Sequence, residues 1–262
     1  MSPDEPEWAY VIAASSDWSF RAGKLYHRAA PVLKSMDKPR SELGNMIVRN
    51  CYAVTKTNAP SRKALQDTIH ILDAPGKWGL NLGAANTRLH TRLLNLDLFD
   101  AQNVQVISDG GLLPFRDSSL DVVVAQEVLE HIYDPFSAIA EVARVLKPGG
   151  TFYCQVPFII GYHPGPTDFW RFTRESFSFM FRDPCWEIQE VNPSLGHGSG
   201  FYRIFVEFMA VTSSAIWGKL YQPTKGLCAV LFYPLQWFDA LIPYTPAKDR
   251  IPGGYYCVVR KK

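Results

Sequence analysis

"LDVVVAQEVLEHIYDPFSAIAEVARVLKPGGTFYCQVPF", Leu120 to Phe158, holds two short apolar runs separated by a segment of a different period. "DVVVAQ" and "TFYCQVPF" are continuous apolar runs bounded by Asp, Gly and Pro, the pattern of strands buried on both faces of a helix-covered parallel sheet. Between them Phe136, Ile139, Val142 and Leu146 recur at spacings of three or four, which is helical. Asp134 stands where an N-cap belongs, and "KPGG" (Lys147 to Gly150) supplies a C-terminal stop. Strand, helix and strand in this order predict a parallel pair with a helical crossover.

The same grammar extends in both directions. Upstream lie "GLNL" (79–82), "LLNLD" (93–97) and "VQVISD" (104–109); downstream, "DPCWEIQEVNPSLGHGSG" (183–200) and "GGYYCVVRKK" (253–262) suggest a sixth and a last strand. The expectation is a doubly wound α/β domain over residues 76–262 with helices on both faces. Residues 1–75 show no strong strand and include the helix-compatible "SRKALQDTIHILDAPG" (61–76), so they are expected to form a helical N-terminal cap. An insertion at about 200–245 precedes the last strand. Its runs "FYRIFVEFMAV" and "LCAVLFYPLQWFDALIP" are apolar nearly all round, with Pro234 interrupting the second. Such helices are buried against protein, a partner or a bilayer surface.

Composition narrows the function. The chain has 262 residues, 47% hydrophobic and 20% charged, with net charge +2, so no strong field of either sign recruits nucleic acid. Five scattered cysteines without C-x-x-C argue against a disulfide framework and a zinc site. With an acidic N-terminus and no apolar run of about 18 residues, a cytoplasmic protein without a membrane span is expected.

"GLNLGAANTRLH" (79–90) resembles a nucleotide-binding turn that has lost most of its glycines. Gly83 remains, but Arg88 occupies the third glycine position of a dinucleotide fingerprint, which disfavours an NAD-dependent oxidoreductase. Asp97 ends the second predicted strand, where a carboxylate accepts from a ribose diol, and Asp109 ends the third, where it accepts from an adenine amino group. The crossover between the first two strands is near the minimum length, so its helix must be short or irregular.

The run "ISDGGLLPFRDSSLDVVVAQEVLEHIYDPFSAIAEVARVLKPGGTFYCQVPF" (107–158) resembles the class I S-adenosylmethionine (SAM)-dependent methyltransferases, in the branch with an LPF, VLEH and RVLKPGG signature. The resemblance covers roughly residues 76–175. It implies a Rossmann-like seven-stranded sheet with its last strand antiparallel, and SAM, with S-adenosylhomocysteine as product, across the carboxyl ends of the first four strands. By matching position, Gly83 and Ala85 face the methionine part, Asp97 the ribose, Asp109 and Gly110 the adenine, and Gln126 and Glu127 the sulfonium side. Asn81 replaces the family's usual acidic residue and contributes no charge toward the methionine ammonium.

"PFIIGYHPGPTDFWRFTRESF" (157–177) brings polar and aromatic groups to the rim of the predicted crevice. One reading makes His163 a general base, Asp168 its partner, Trp170 an acceptor wall and Arg171 an anion clamp. The other pairs Asp168 with Arg171 across a proline turn and lets Thr173 cap the next helix. His131 is assigned a local hydrogen bond, and His197 an exposed place in a glycine loop. No second histidine or carboxylate stands at metal-ligand spacing, so no metal is expected. The acceptor is expected to be small or lipid-like, methylated on oxygen or nitrogen, with the insertion as a lid; homodimer or peripheral membrane contact are the other uses of its apolar faces. A non-catalytic SAM-binding relative acting as a partner subunit is the alternative to an enzyme.

Overall fold

The computed structural model describes residues 7–13, 18–21, 24–27, 33–34 and 57–262. Its strands are β1 (Trp18–Arg21), β2 (Lys24–His27), β3 (Leu33–Lys34), β4 (Gly79–Leu82), β5 (Leu93–Asp97), β6 (Phe99–Asp100), β7 (Val106–Ile107), β8 (Leu120–Gln126), β9 (Leu146–Pro157), β10 (Trp186–Leu195) and β11 (Gly254–Lys261). The α-helices are α1 (Ala59–His70), α2 (Pro135–Val145), α3 (Arg174–Met180), α4 (His197–Ile216) and α5 (Tyr221–Leu231).

The two apolar runs are β8 and β9, and the segment between them is α2. Asp134 caps α2 through Oδ1, which accepts from the backbone N–H groups of Phe136 at 3.1 Å and Ser137 at 3.2 Å. Pro135 takes the first helical turn, where its missing N–H costs nothing. Ile139, Val142 and Val145 are buried against the sheet, whereas Phe136 stays 41% exposed and packs edge to face on Phe179. The "KPGG" stretch bends the chain directly into β9, with Gly149 at φ +79°.

The main sheet has the order β1-β2-β7-β5-β4-β8-β9-β11-β10. Strands β7, β5, β4, β8 and β9 are mutually parallel, and β11 runs antiparallel to both β9 and β10. Nine strands therefore stand where seven were expected. The two extra ones come from the supposed helical cap: β1 and β2 form a hairpin, and β2 joins the β7 edge in parallel through Leu25 opposite Val106. Lys24 anchors it by donating from Nζ to Asp100 Oδ1 at 2.5 Å. Within residues 1–75 the helical expectation holds for α1, and the segments not described lie outside the comparison.

Helices cover both faces. On one face α1 sets Ala64 against Val122, Val124, Tyr153 and Tyr256, and Ser61 Oγ lies 2.7 Å from the buried Tyr153 hydroxyl. On the other, α2 and α3 pack Ile139, Val142 and Phe177 against Leu80, Val123, Phe152 and Tyr255. No helix follows β4; residues 83–92 form turns and irregular chain. Asn95 holds this crossover by donating from Nδ2 to the carbonyls of Thr87 at 2.9 Å and Asn103 at 2.8 Å.

The insertion is rooted at one point. Leu195, ending β10, pairs with Gly254, which starts β11, and Gly254 also pairs with Pro157 at the end of β9. Residues 196–253 thus leave and re-enter the sheet at the carboxyl ends of its parallel strands. The glycines of "GHGSG" are not a flexible loop but the first turn of α4. A Cβ at Gly198 would lie 2.3 Å from the Leu235 carbonyl oxygen, and one at Gly200 3.0 Å from the Gly253 nitrogen. Close packing of backbone on backbone outweighs the poor helix propensity of glycine here. Asp239 serves as the cap from a distance, accepting from the N–H groups of Gly196 at 3.2 Å and Ser199 at 3.1 Å.

Candidate active site

Four strand ends build a crevice. Gly83, just past β4, has φ +65°, and a Cβ there would lie 2.3 Å from Val128 Cγ2, so the turn approaches the segment after β8 as only glycine allows. Ala85 at φ +48° and Glu127 at φ +55° are left-handed without being glycine. Such strain persists only where surroundings enforce it, and it concentrates at binding sites. For Ala85 the enforcing group is Asp97: its buried carboxylate accepts from Ala85 N–H at 2.7 Å and from Phe99 N–H at 2.9 Å. Each carboxylate oxygen keeps a further lone pair for a hydroxyl donor. For Glu127, the backbone N–H donates to Gln155 O at 2.9 Å and the carboxylate accepts from Gln155 Nε2 at 3.0 Å.

Asn81 turns inward to β5, donating to Asn95 Oδ1 at 3.1 Å, so it supports the crossover rather than presenting a free amide. Asp109 is exposed and accepts from Gly111 N–H at 3.0 Å, and Gly110 is buried at φ +78°. Gln126 is half-buried at the end of β8.

Beyond β8 an acid and two histidines converge. Glu130, in the short turn of 3-10 helix Leu129–His131, is fully buried, and neither carboxyl oxygen has a hydrogen-bond partner among the described residues. Nε2 of His131 and Nε2 of His163 each lie 3.6 Å from its Oε1, and the two rings meet edge to face at 5.1 Å. His131 donates from Nδ1 to the Thr167 carbonyl, and Thr167 Oγ1 returns a bond to the His131 carbonyl at 2.9 Å, so this histidine ties the turn after β8 to the loop after β9 rather than fixing the entry to the next helix. Burial pushes the Glu130 carboxyl up to about 7. It lowers His131 as well. Burial also opposes charge on His163, but Glu130 and Asp168 beside it prevail and raise its pKa.

Asp168 is the hub of the 158–171 loop. It accepts from Arg171 Nη1 at 2.5 Å and Nη2 at 2.7 Å, and from His163 N–H at 2.9 Å. Burial works against its charge, yet Arg171 and His163 hold it down at about 2. Arg171 also donates to the carbonyls of Trp170 at 2.7 Å and Gly161 at 3.0 Å. Its donors are thus occupied, which leaves little of the anion clamp that the sequence suggested. Thr173 and Ser176 form the capping box of α3, as the alternative reading of this loop had it. Trp170 is 40% exposed, its ring fixed by donation from Nε1 to the Ile132 carbonyl at 3.1 Å.

A family described as "Methyltransferase domain" matches residues 82–154. An uncharacterized methyltransferase of Schizosaccharomyces pombe is 46% identical over 123 residues, covering 46% of this chain and 42% of the relative. A phthiotriol/phenolphthiotriol dimycocerosates methyltransferase of Mycobacterium ulcerans is 45% identical over 73 residues, covering 28% of this chain and 25% of the relative. Residues 82–154 are a methyltransferase domain. The chain spans less than half the length of these curated relatives. Among solved structures, a phosphoethanolamine N-methyltransferase of Haemonchus contortus is similar at 12% identity with TM-score 0.49, covering 84% of this chain and 57% of that one.

The crevice fits SAM, the methyl donor of the similar proteins. The cradle at Gly83 would be filled by a Cβ, Asp97 stands at a strand end with spare lone pairs, and Gly110 adds a second close approach. The matches are to methyltransferases, which argues against the NAD-dependent alternative. Glu130 is the site residue that sequence reasoning passed over. It sits within the "VLEH" signature, where a glutamate among apolar residues is itself a signal, since a carboxylate is rarely fully buried unless it is paired.

Proposed function

We propose that this methyltransferase moves a methyl group from SAM to a small or lipid-like acceptor held between the Glu130, His131 and His163 cluster and the apolar insertion. The cofactor supplies a methyl carbon already activated by its sulfonium leaving group. What remains for the chain is alignment, exclusion of water and removal of the acceptor's proton. Gly83, Ala85, Asp97, Asp109 and Gly110 are assigned to the cofactor, with Gln126 and Glu127 toward the reacting side and Asn81 holding the turn. His163 takes part in accepting the proton, Asp168 positions it, and Trp170 walls the acceptor with Arg171 fixing the loop.

The observation that carries the lipid-like reading is where the apolar surface sits. Residues 196–253 rise from the carboxyl edge of the sheet, and a Cβ at Gly161 in the His163 loop would come 3.6 Å from Glu207 Cγ of α4. The insertion leaves Ile216 84% and Trp237 71% exposed, and a groove of about 500 Å³ is lined by residues such as Leu231, Phe232, Pro234, Trp237 and Leu241. Exposed apolar patches of this kind mark binding surfaces. The acceptors in the name of the Mycobacterium relative agree with this reading. No helix among the described residues is long and apolar enough to cross a membrane. The free Cys154, Cys185, Cys228 and Cys257 suit the reducing cytoplasm assigned to the protein.

Transfer of labelled methyl groups from SAM into a cell extract, partitioned between chloroform and water, tests the proposal. Label in the chloroform phase is expected, and it should fall in a Phe232→Ser/Trp237→Ser variant whose SAM affinity is unchanged. Transfer only into the water phase overturns the lipid-like acceptor. Retained SAM binding without any transfer supports a non-catalytic partner subunit instead, and concentration-dependent dimerisation or vesicle binding lost in the variant with full turnover assigns the patch to a second copy or a membrane surface.

A further inference from the structure

The Glu130 cluster has the arrangement of a metal site. We propose that Glu130 Oε1, His131 Nε2 and His163 Nε2 bind a divalent first-row transition metal ion of the Zn²⁺ type, facing the crevice with coordination positions open. The three ligand atoms lie within 4.8 Å of one another, and both histidine nitrogens are 3.6 Å from the carboxylate oxygen. Ligands about 2.1 Å from a tetrahedral ion sit about 3.4 Å apart, so the ion fits with small side-chain shifts. Two imidazoles and one carboxylate form the donor set of catalytic sites that keep room for a further oxygen ligand.

The surroundings fix both rings in the tautomer an ion needs. His131 Nδ1 faces the Thr167 carbonyl, which can only accept, so that nitrogen carries the proton and Nε2 offers its lone pair. Two acceptors face His163 Nδ1, the Gly161 carbonyl at 3.2 Å and Asp168 Oδ2 at 3.4 Å, against one donor, Arg171 Nη2 at 3.4 Å. The acceptors prevail, and Nε2 again points at Glu130. Carbonyl or carboxylate acceptors behind ligating imidazoles are the usual outer support of a metal centre. Glu130 supplies the independent observation: a fully buried carboxyl, neither oxygen of which has a hydrogen bond among the described residues, aimed between two imidazole edges. Burying a carboxylate without partners is costly, and an ion removes that cost.

This inference rests on the proposed function and revises one role in it: with His163 Nε2 on the ion and Nδ1 protonated, the ion takes over from His163, lowering the pKa of a bound acceptor hydroxyl or amine so that its proton passes to water. Metal binding itself does not depend on that reading. The test is titration of the chelator-stripped full-length protein with Zn²⁺ by equilibrium dialysis and with Co²⁺ by visible absorption. One ion per chain is expected, with Glu130→Gln and His163→Ala each weakening binding by roughly 100-fold or more. His70→Ala is the control, because it breaks the exposed contact that His70 and His90 share with Asp73. SAM calorimetry on every variant reports the fold and the cofactor site separately. The inference is overturned if the wild type takes up no ion, if His70→Ala abolishes uptake, or if Glu130→Gln retains full affinity while still binding SAM. Ion binding without SAM binding by the wild type would instead overturn the proposed function and leave the metal site standing.

Discussion

Replacing Gly83 by alanine tests the crevice with a magnitude that follows from geometry. The new Cβ would stand 2.3 Å from Val128 Cγ2 and 2.9 Å from Cγ1, well inside van der Waals contact, on a backbone with φ +65°. The left-handed conformation costs a non-glycine residue roughly 1–2 kcal/mol. Overpacking that forces a valine and its backbone aside adds roughly 1–3 kcal/mol. A total of about 2–5 kcal/mol is a large share of the 5–15 kcal/mol typical of a folded domain. Urea unfolding should therefore show a lower midpoint with an unchanged slope, and calorimetry should show weaker SAM binding because the turn is displaced. A double-mutant cycle with Val128→Ala separates the two terms: removing both colliding methyls relieves the overpacking but not the backbone strain. The double variant should be more stable than the sum of the single losses by about 1–3 kcal/mol. Wild-type stability in Gly83→Ala, or strictly additive losses, would refute the account of the turn.

Two further outcomes follow from the carboxylates. Asp97→Ala should weaken SAM binding at least about tenfold more than Asp109→Ala, because Asp97 anchors Ala85 and is the residue proposed for the ribose, while Asp109 is exposed with one local bond; equal affinities by calorimetry would remove Asp97 from the proposed cofactor site. Asp121 is buried, which opposes its charge, but Lys147, Lys77 and the Trp78 N–H prevail and hold its carboxyl below the ordinary range. A depressed folded pKa gives stability that is complete above the ordinary carboxylate range and disappears as pH falls through the folded value. The stability gap between wild type and Asp121→Asn should therefore be widest near neutral pH and close toward the acid limit, and a gap that stays constant with pH would show that the lysine clasp is not the source.

Where the sequence was legible, two signals coincided. The β8-α2-β9 unit could be read because its period changes from continuous to helical and Asp134 and Pro135 mark the change. The places of Gly83 in a turn and Asp97 at a strand end could be read because a turn glycine and a strand-end acid have fixed backbone roles. The β1-β2 hairpin could not: "WSFR" and "KLYH" are too short to show a period, and their pairing depends on β7, far along the chain. The glycines near His197 signalled a loop because propensity is local, whereas the contact with Leu235 that makes them helical is not. The histidine cluster was half legible. His163 was singled out for its residue type, but spacing along the chain cannot show that a turn after β8 and a loop after β9 meet.

Under the proposed function, the rooting of the insertion bears on how acceptor specificity can change. Leu195 and Gly254 already face each other across two antiparallel strands, and Gly253 N–H donates to the Leu195 carbonyl at 3.0 Å. Cutting out residues 197–252 and joining Gly196 to Gly253 would leave a two-residue Gly-Gly connection, a sequence well suited to a tight hairpin. The sheet, the crevice and the buried acid need not shift register for that exchange. The insertion is thus an interchangeable cassette plugged into a single socket, and under the proposed function new acceptors can be reached by swapping the cassette while the frame of the sheet is inherited intact.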